Sequence, residues 1–212
     1  MHVTRRPDLF PEPASFVPDV PYTLAQWQAI EEATGQRYEY HAGRLLSVEA
    51  MAGGSPRHAL LIGNVAGVAY RELSAEAFQA QRCGSYSSDL RIAIQTEERY
   101  VYPDLAIVCG RPAYDAAVPS AIANPVAVFE VLSPSSRDYD AGPKFGYYRE
   151  LASLRDYILV SQHERRVEVR SRAGEEAPWR ISVYTEADEA FELAGLLGVS
   201  FGLADLYRLW EA

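Results

Sequence analysis

The chain lacks the features that mark secreted, membrane or disulfide-rich proteins. Only 2 of its 212 residues are cysteine, too few for a disulfide framework or a cysteine-rich metal site. No apolar run approaches the roughly 20 residues that a membrane-spanning helix needs. The N-terminus has Arg5 and Arg6 but no apolar segment behind them, so it is not a secretory signal. We therefore expect a protein of the reducing cytoplasm, away from membranes, with Cys83 and Cys109 unpaired in strand cores.

The chain also has no excess of basic residues. Lys and Arg number 20 against 29 Asp and Glu, which gives a formal net charge of −9. A protein that binds long duplex DNA through its general surface usually has a basic face. This balance argues against that mode of binding, but it leaves room for a local basic groove or for a metal ion that neutralises acidic groups.

The hydrophobic content of 48% and charged content of 23% are ordinary for a globular protein and exclude a largely disordered chain. Five prolines predict that residues 1–21 form an extended arm. Residues 22–212 then form one domain. It begins with a helix capped by Thr23 and ended by Gly35, followed by a hairpin around Ala42 and Gly43.

The middle of the chain predicts an α/β core. A helical pattern runs from His58 to about Ala80, and three strands follow: CGSYSSDLRIAI, RYVYPDLAIVCG and PVAVFEVLS. A helix at about 141–151 and the strand DYILVS complete the order helix, three-stranded mixed sheet, helix, strand. A hairpin at RRVEVRSR and WRISVYT and a short helix at Leu203 to Trp210 are added at the C-terminus.

Acidic side chains inside apolar strands carry the chemical information. Asp104 lies in VYPDLAIVC and Glu130 in VAVFEVLS. A carboxylate buried in a central strand is costly unless it is paired, hydrogen-bonded or bound to a cation. Asp89, on the preceding strand, is a possible third member. Converging oxygen ligands of this kind suit Mg²⁺ or Mn²⁺.

Lys144 adds a basic group to this set. It lies in YDAGPKFGYYREL, where Pro143 is expected at the first helical position. A lysine in the first turn opposes the helix dipole. Such violations of local rules are more common at functional sites than elsewhere.

The pair Pro103-Asp104 on one strand and Glu130 on the next resembles the PD-(D/E)XK nuclease superfamily. In the usual pattern the lysine lies two residues after the glutamate, at the position that is Leu132 here. The chain as a whole resembles the Uma-type family of restriction-endonuclease-like proteins, in which the lysine stands in the following helix, as Lys144 does. The resemblance rests on these segments: YTLAQWQAIEE, RYEYHAGRL, MAGGSPRHALLIGNV, GSYSSDLRI, YVYPDLAIVCG, NPVAVFEVLSPSSRDYDAGPKFGYYREL and YILVSQ.

This resemblance implies a restriction-endonuclease-like fold and a Mg²⁺-dependent endodeoxyribonuclease, with Mn²⁺ as a possible substitute. It implies that Asp104, Glu130 and Asp89, with the Val131 carbonyl, hold the metal. Lys144 would then orient or deprotonate the attacking water, or stabilise the transition state. Family members usually have an acidic residue where this chain has Arg44.

Other roles stay open for several residues. His58 either contacts phosphate or metal-bound water, or caps its helix, and Glu39 is a candidate neighbour of the site. Asp104 could be a turn carboxylate and Lys144 a solvated helix residue. DNA is the expected substrate, and a homodimer is expected because two related sites most simply cut both strands of a duplex. The alternatives are a non-catalytic nucleic-acid-binding or regulatory module on the same fold and, with less support, a glycosidase-like carboxylate pair.

Overall fold

The computed structural model describes residues 20–48, 55–74, 82–94, 96 and 98–210. Residues 1–19 of the predicted arm lie outside this range, as does the predicted extension of the second helix over 75–80. The division into an arm and one domain stays a prediction. Within the described ranges, no helix is both long and apolar enough to cross a membrane.

The described residues form both helices and strands. The helices are α1 (Leu24–Thr34), α2 (Pro56–Leu73), α3 (Arg137–Tyr139), a π-helical turn (Asp140–Lys144), α4 (Phe145–Tyr148) and α5 (Leu203–Leu206). The strands are β1 (Tyr38–His41), β2 (Arg44–Ser47), β3 (Gly84–Ser87), β4 (Arg91–Ile94), β5 (Arg99–Val101), β6 (Leu105–Val108), β7 (Ala121–Ile122), β8 (Ala127–Leu132), β9 (Asp156–Ser161), β10 (Val167–Ser171), β11 (Arg180–Tyr184), β12 (Ala190–Leu193) and β13 (Leu196–Gly202).

The central sheet has six strands in the order β11-β10-β9-β8-β6-β3. Strands β3, β6 and β8 are antiparallel neighbours, whereas β8 and β9 run parallel, so the sheet is mixed. A second sheet has the order β2-β1-β5-β4-β7, and β12 pairs with β13. The α/β class is therefore confirmed. The central sheet and its covering helices use α2, β3, β6, β8, the helical residues 137–148 and β9, while β4, β5 and β7 join the second sheet.

Both faces of the central sheet are covered. On one face α2 contributes Leu61 and Val65, which pack with Phe129 of β8. On the other face Tyr148 of α4 packs with Val128 of β8 and Tyr157 of β9. Because its side chains alternate between two apolar layers, β8 is almost wholly buried, as its sequence predicts.

The first helix and hairpin form as predicted. The Thr23 hydroxyl caps α1 by accepting from the Gln26 N–H, and the Gln26 side chain caps back. Gly35 ends the helix in the left-handed region, at φ 68°. The turn between β1 and β2 consists of Ala42 and Gly43, both at positive φ.

The two long strands predicted before β8 are wrong as single elements. CGSYSSDLRIAI divides into β3 and β4, and RYVYPDLAIVCG divides into β5 and β6, with the members of each pair in different sheets. The first break is a turn in which the Leu90 N–H donates to the Ser87 carbonyl. The second falls at Tyr102-Pro103-Asp104, where proline cannot donate a ladder hydrogen bond. The chain therefore crosses between the sheets immediately before Asp104.

Three helix boundaries also differ from the prediction. Helix α2 begins two residues earlier because Ser55 caps it and Pro56 occupies its first turn. The helix predicted at about 141–151 spans residues 137–148, so Pro143 lies inside it, within the π-helical turn. The C-terminal helix α5 is limited to Leu203–Leu206.

The prediction that the two cysteines are unpaired is wrong. Cys83 and Cys109 form a disulfide, with Cα atoms 4.0 Å apart. Gly84 pairs with Val108 in the β3–β6 register, so the next residues outward face each other across the strands. The argument from unpaired thiols to a reducing cytoplasm loses its basis, and the compartment stays a prediction.

Asp156, at the start of β9, gives a test of how the sheet holds the β12–β13 hairpin. Its buried carboxylate accepts hydrogen bonds from the N–H groups of Ala194 (3.0 Å) and Gly195 (2.8 Å). Burial raises the pKa of Asp156 to about 6. The folded state therefore binds this proton more tightly than the unfolded state, and Asp156 makes the protein less stable as the pH rises from about 4 to 6.

We expect Asp156→Asn to remove that slope. The unfolding free energy of the variant minus that of the parent should increase by about 2 kcal/mol between pH 4 and pH 7. Urea denaturation at several pH values measures this difference. A difference that stays constant across the range would show that Asp156 does not titrate as described.

Candidate active site

Asp104 and Glu130 lie side by side at the end of the β6–β8 ladder. Leu105 pairs with Phe129, and one more step of the antiparallel register places Asp104 opposite Glu130. The Val131 N–H, which has no β6 residue to pair with at this point, donates to Asp104 Oδ2 at 2.6 Å. The break between β5 and β6 thus lets an aspartate side chain take the place of a strand neighbour.

The helical residues 137–148 bring Lys144 over this strand end. Asp140 and Lys144 are the first and last residues of the π-helical turn, and their side chains form an ion pair of 3.4 Å. Single π-helical turns are uncommon in proteins, but those that occur are often located at functional sites. Two serines shape the loop that leads from β8 into this turn, since the Ser133 and Ser136 hydroxyls each accept the other's backbone N–H.

The Lys144 ammonium group is buried among oxygen atoms. Its Nζ lies 3.0 Å from Glu130 Oε1 and 3.3 Å from Glu39 Oε1, in addition to the Asp140 contact. It also donates to the Tyr102 carbonyl at 3.0 Å. Burial alone would lower the pKa of Lys144, but Glu130, Glu39 and Asp140 together raise it well above its usual value. Lys144 is therefore a permanent cation in this structure.

Glu39 joins the site from β1. Its side chain is buried and also accepts hydrogen bonds from the Tyr139 hydroxyl and the Tyr102 N–H. His41 Nε2 lies 3.2 Å from Glu39 Oε2. Burial raises the pKa of Glu39, but Lys144 and the hydrogen bonds outweigh burial and hold it below its ordinary value. Glu39 therefore contributes a negative charge that helps to balance Lys144.

His58 approaches Asp104 from the first turn of α2. Its Nε2 atom is 3.6 Å from Asp104 Oδ2, and its ring is largely buried. The predicted residues Asp104, Glu130, Lys144 and His58, with the Val131 backbone, all line one cavity. We call Glu39, Asp104, Glu130, Asp140 and Lys144 the acid–lysine cluster.

Asp89 does not belong to this cluster, which corrects the prediction that it is a metal ligand. Its side chain is 86% exposed and forms an ion pair of 3.2 Å with Arg37. The alternation that placed it beside Asp104 assumed a continuous strand, but Asp89 lies in the turn between β3 and β4. A turn residue does not follow the two-residue periodicity of a strand.

The cluster carries more negative than positive charge. It holds four carboxylates and one ammonium group, and burial raises the pKa of both Asp104 and Glu130 above their ordinary values. Asp140 adds to both increases, and Lys144 opposes them. Either bound protons or an added cation would relieve this excess of negative charge.

The donor set and the space available fit a small divalent cation. The cavity has a volume of about 40 Å³, enough for an ion with a bound water molecule. Among the residues that the structure describes, no three His, Cys, Asp or Glu side chains form a complete metal site. Mg²⁺ does not require one, because it commonly uses one or two carboxylates and keeps several waters. Asp104 and Glu130 meet that requirement.

Sequence reasoning missed Asp140 as a site residue and left the role of Glu39 open. The sequence nevertheless held a signal for the site as a whole. Lys144 is the only lysine in the chain, against 19 arginines. A composition that uses arginine for every other basic position indicates that Lys144 does something arginine cannot, such as fitting a compact charge among three carboxylates.

This fold is that of nuclease-like proteins. A crystal structure described as "a putative nuclease belonging to DUF820", from Anabaena variabilis ATCC 29413, has the same fold, with a TM-score of 0.68. It covers 91% of this chain and 100% of its own, at 16% identity. The family model Uma2, "Putative restriction endonuclease", matches residues 22–204. The chain belongs to the Uma2 family.

Two relatives come from Synechocystis sp. (strain ATCC 27184 / PCC 6803 / Kazusa). "Uncharacterized protein slr1290" is 31% identical over 188 residues, which cover 89% of this chain and 90% of that protein. "Uncharacterized protein sll1609" is 29% identical over 153 residues, which cover 72% and 82%. The likeness to both therefore extends over most of each chain.

We predict that Lys144→Met costs about 3 kcal/mol of unfolding free energy at pH 7, because it leaves buried carboxylates without their cation. The loss should shrink as the pH falls, since the carboxyl groups of Asp104 and Glu130 have raised pKa values and take up protons more readily than ordinary carboxyl groups. Arg149→Ala is the matched control, because it removes an exposed cation just after the same helix and should cost less than about 0.5 kcal/mol. Urea denaturation measures both. Equal losses would contradict the buried charge balance.

Proposed function

We propose that this protein is a metal-dependent endonuclease that hydrolyses phosphodiester bonds in DNA. The observation that carries the proposal is the position of Asp104 opposite Glu130 at one strand end, with the Lys144 ammonium group 3.0 Å from Glu130. Two adjacent carboxylates and a fixed cation in one cavity supply the groups that phosphodiester hydrolysis needs.

Asp104 and Glu130 would hold a Mg²⁺ or Mn²⁺ ion, with the Val131 carbonyl as a third oxygen ligand. In an extended strand the N–H and C=O groups of one residue point to the same side. The Val131 N–H points at Asp104, so its carbonyl lies on that side too. When bound, such an ion lowers the pKa of a water molecule and neutralises charge on phosphate oxygens.

Lys144 acts in this proposal as a charged hydrogen-bond donor. Its raised pKa disfavours the role of general base, which requires a neutral amine. A fixed ammonium group instead orients the attacking water and stabilises the negative charge that grows on the phosphate in the transition state. Glu39 and Asp140 keep the ammonium group charged and in place, and His58 supports the Asp104 carboxylate.

Two arginines offer contacts to a nucleic-acid backbone. Arg57 precedes His58 at the start of α2, and Arg137 follows Ser136 at the start of α3. Both side chains are exposed, whereas His58 and Ser136 line the cavity. Guanidinium groups at such positions bind phosphates. An acidic protein can thus bind DNA locally, and the homodimer expected for cutting both strands belongs to the same proposal.

A non-catalytic nucleic-acid-binding module is the second candidate. The observation that favours it is the direct neutralisation of Glu130 by Lys144, which reduces the need for a bound cation. Calorimetry distinguishes the two candidates, because a catalytic site should bind Mn²⁺ and lose that binding in Glu130→Gln.

The direct test is cleavage of supercoiled, linear and single-stranded DNA with Mg²⁺, with Mn²⁺ or with EDTA. We expect cleavage only with metal, and a loss of about 100-fold or more in Asp104→Asn and in Glu130→Gln. Asp89→Asn should cleave like the parent, because the structure places Asp89 at the surface. Undiminished activity in Glu130→Gln would overturn the proposed site, and a loss of activity in Asp89→Asn would restore the sequence-based ligand set.

A further inference from the structure

The backbone of Tyr102 touches both charged residues at the centre of the acid–lysine cluster. Its carbonyl accepts from Lys144 Nζ at 3.0 Å, and its N–H donates to Glu39 Oε1 at 3.2 Å. Tyr102 precedes Pro103 and Asp104 in the link between the two sheets. The position of the Tyr102 backbone therefore determines where Lys144 and Glu39 make these two contacts.

The side chain of Tyr102 is held by a second buried network. Its hydroxyl donates to Glu31, with oxygens 2.9 Å and 3.1 Å away, and accepts from Arg91 Nε at 2.6 Å. Glu31 and Arg91 also pair with each other. Glu31 lies on α1 and Arg91 on β4. Residues from two separate elements therefore hold the Tyr102 side chain through its hydroxyl.

Glu31 and Arg91 each make a further hydrogen bond that helps to hold them in place. Glu31 also accepts from the Tyr38 N–H at 2.8 Å, and Arg91 Nη1 donates to the Ser120 hydroxyl at 2.5 Å. The Glu31 and Tyr102 side chains are buried. A network fixed at several points can hold the hydroxyl, and through it the ring, in one place.

The backbone from Tyr102 to Asp104 is stiff. A residue before proline is restricted to extended conformations, so Tyr102 has little freedom to turn, and proline fixes the next φ angle. A displacement of the Tyr102 ring is therefore transmitted to its own carbonyl and N–H and, two residues on, to Asp104.

Fold stability alone does not explain why the buried Glu31 is paired with the partly buried Arg91 here. Buried ion pairs often contribute little to stability compared with apolar residues of similar size. Helix α1 is already anchored by Trp27, which is fully buried and donates from its indole nitrogen to the Tyr38 carbonyl at 2.8 Å. The network therefore serves to fix the position of Tyr102 more than to attach α1 to the rest of the protein.

We propose that Tyr102, held by Glu31 and Arg91, is a positioning residue that sets the places of Lys144 and Glu39 in the cluster. Its importance for cleavage rests on the proposed nuclease function, whereas its effect on Lys144 does not. Glu31 and Arg91 then act on the cluster through Tyr102, which lines the cavity.

A matched pair of variants tests this proposal. Tyr102→Phe removes one hydroxyl and keeps the ring and the backbone contacts. Tyr100→Phe is the control: its hydroxyl also donates to a buried carboxylate, Asp115 Oδ1 at 2.9 Å, and Asp115 lies outside the acid–lysine cluster. Tyr102→Phe should lose more unfolding free energy than Tyr100→Phe, since each variant removes a hydrogen bond to a carboxylate but the Tyr102 hydroxyl also accepts from Arg91.

The single lysine supplies a readout that is independent of activity. Protein labelled with ¹³C and ¹⁵N lysine gives one side-chain signal, from Lys144. We expect Tyr102→Phe to shift or broaden that signal, Glu31→Gln to do the same from a distance, and Tyr100→Phe to leave it unchanged. An unchanged signal in Tyr102→Phe, or an equal change in Tyr100→Phe, would overturn the proposal.

Cleavage kinetics provide the second arm. In an active parent, Tyr102→Phe should lower kcat by about 10-fold to 100-fold with little change in KM, because small displacements of catalytic groups affect the reaction more than binding. If the parent does not cleave, the proposed function fails while the lysine signal still decides the positioning claim. A shifted lysine signal with unchanged kcat would overturn the importance for catalysis.

Discussion

The ammonium group of Lys144 lies among three buried carboxylates, and much of the structure serves to hold it there. Glu130 reaches it from the central sheet, Glu39 from the second sheet and Asp140 from the π-helical turn. A buried charge without partners would cost several kcal/mol, so these three elements stay together only if all the partners are in place. The second sheet, which adds to the six-stranded core, thereby becomes part of the site.

The crossing between the sheets explains how the carboxylates meet. The chain leaves β5, passes Tyr102 and Pro103, and enters β6 immediately after Asp104. This break leaves the Val131 N–H without a β6 residue to pair with, and the Asp104 carboxylate accepts its hydrogen bond instead. The same three residues thus end one sheet, begin the other, and place a carboxylate, a carbonyl and an N–H group within the cluster.

Local sequence patterns predicted α1, β8, β9 and the β10–β11 hairpin well, because their caps, apolar runs and alternation agree with their burial. The resemblance and the buried acids pointed to Asp104, Glu130 and Lys144. The sheet crossing was not visible, since β-prone residues continue on both sides of it and strand propensity does not reveal which sheet a strand joins. Asp89 was misplaced for that reason. The Cys83–Cys109 disulfide and the Glu39 contacts depend on pairing between distant segments, which one sequence does not show.

We propose that the strand end formed by Asp104 and Glu130 binds a divalent cation beside the buried, charged Lys144. The most direct measurement is anomalous diffraction from crystals of the parent protein and of Glu130→Gln grown with Mn²⁺. We expect a manganese peak within coordination distance of Asp104 and Glu130 in the parent protein, and no such peak in Glu130→Gln. A well-ordered parent site without manganese, or with manganese bound elsewhere, would contradict it.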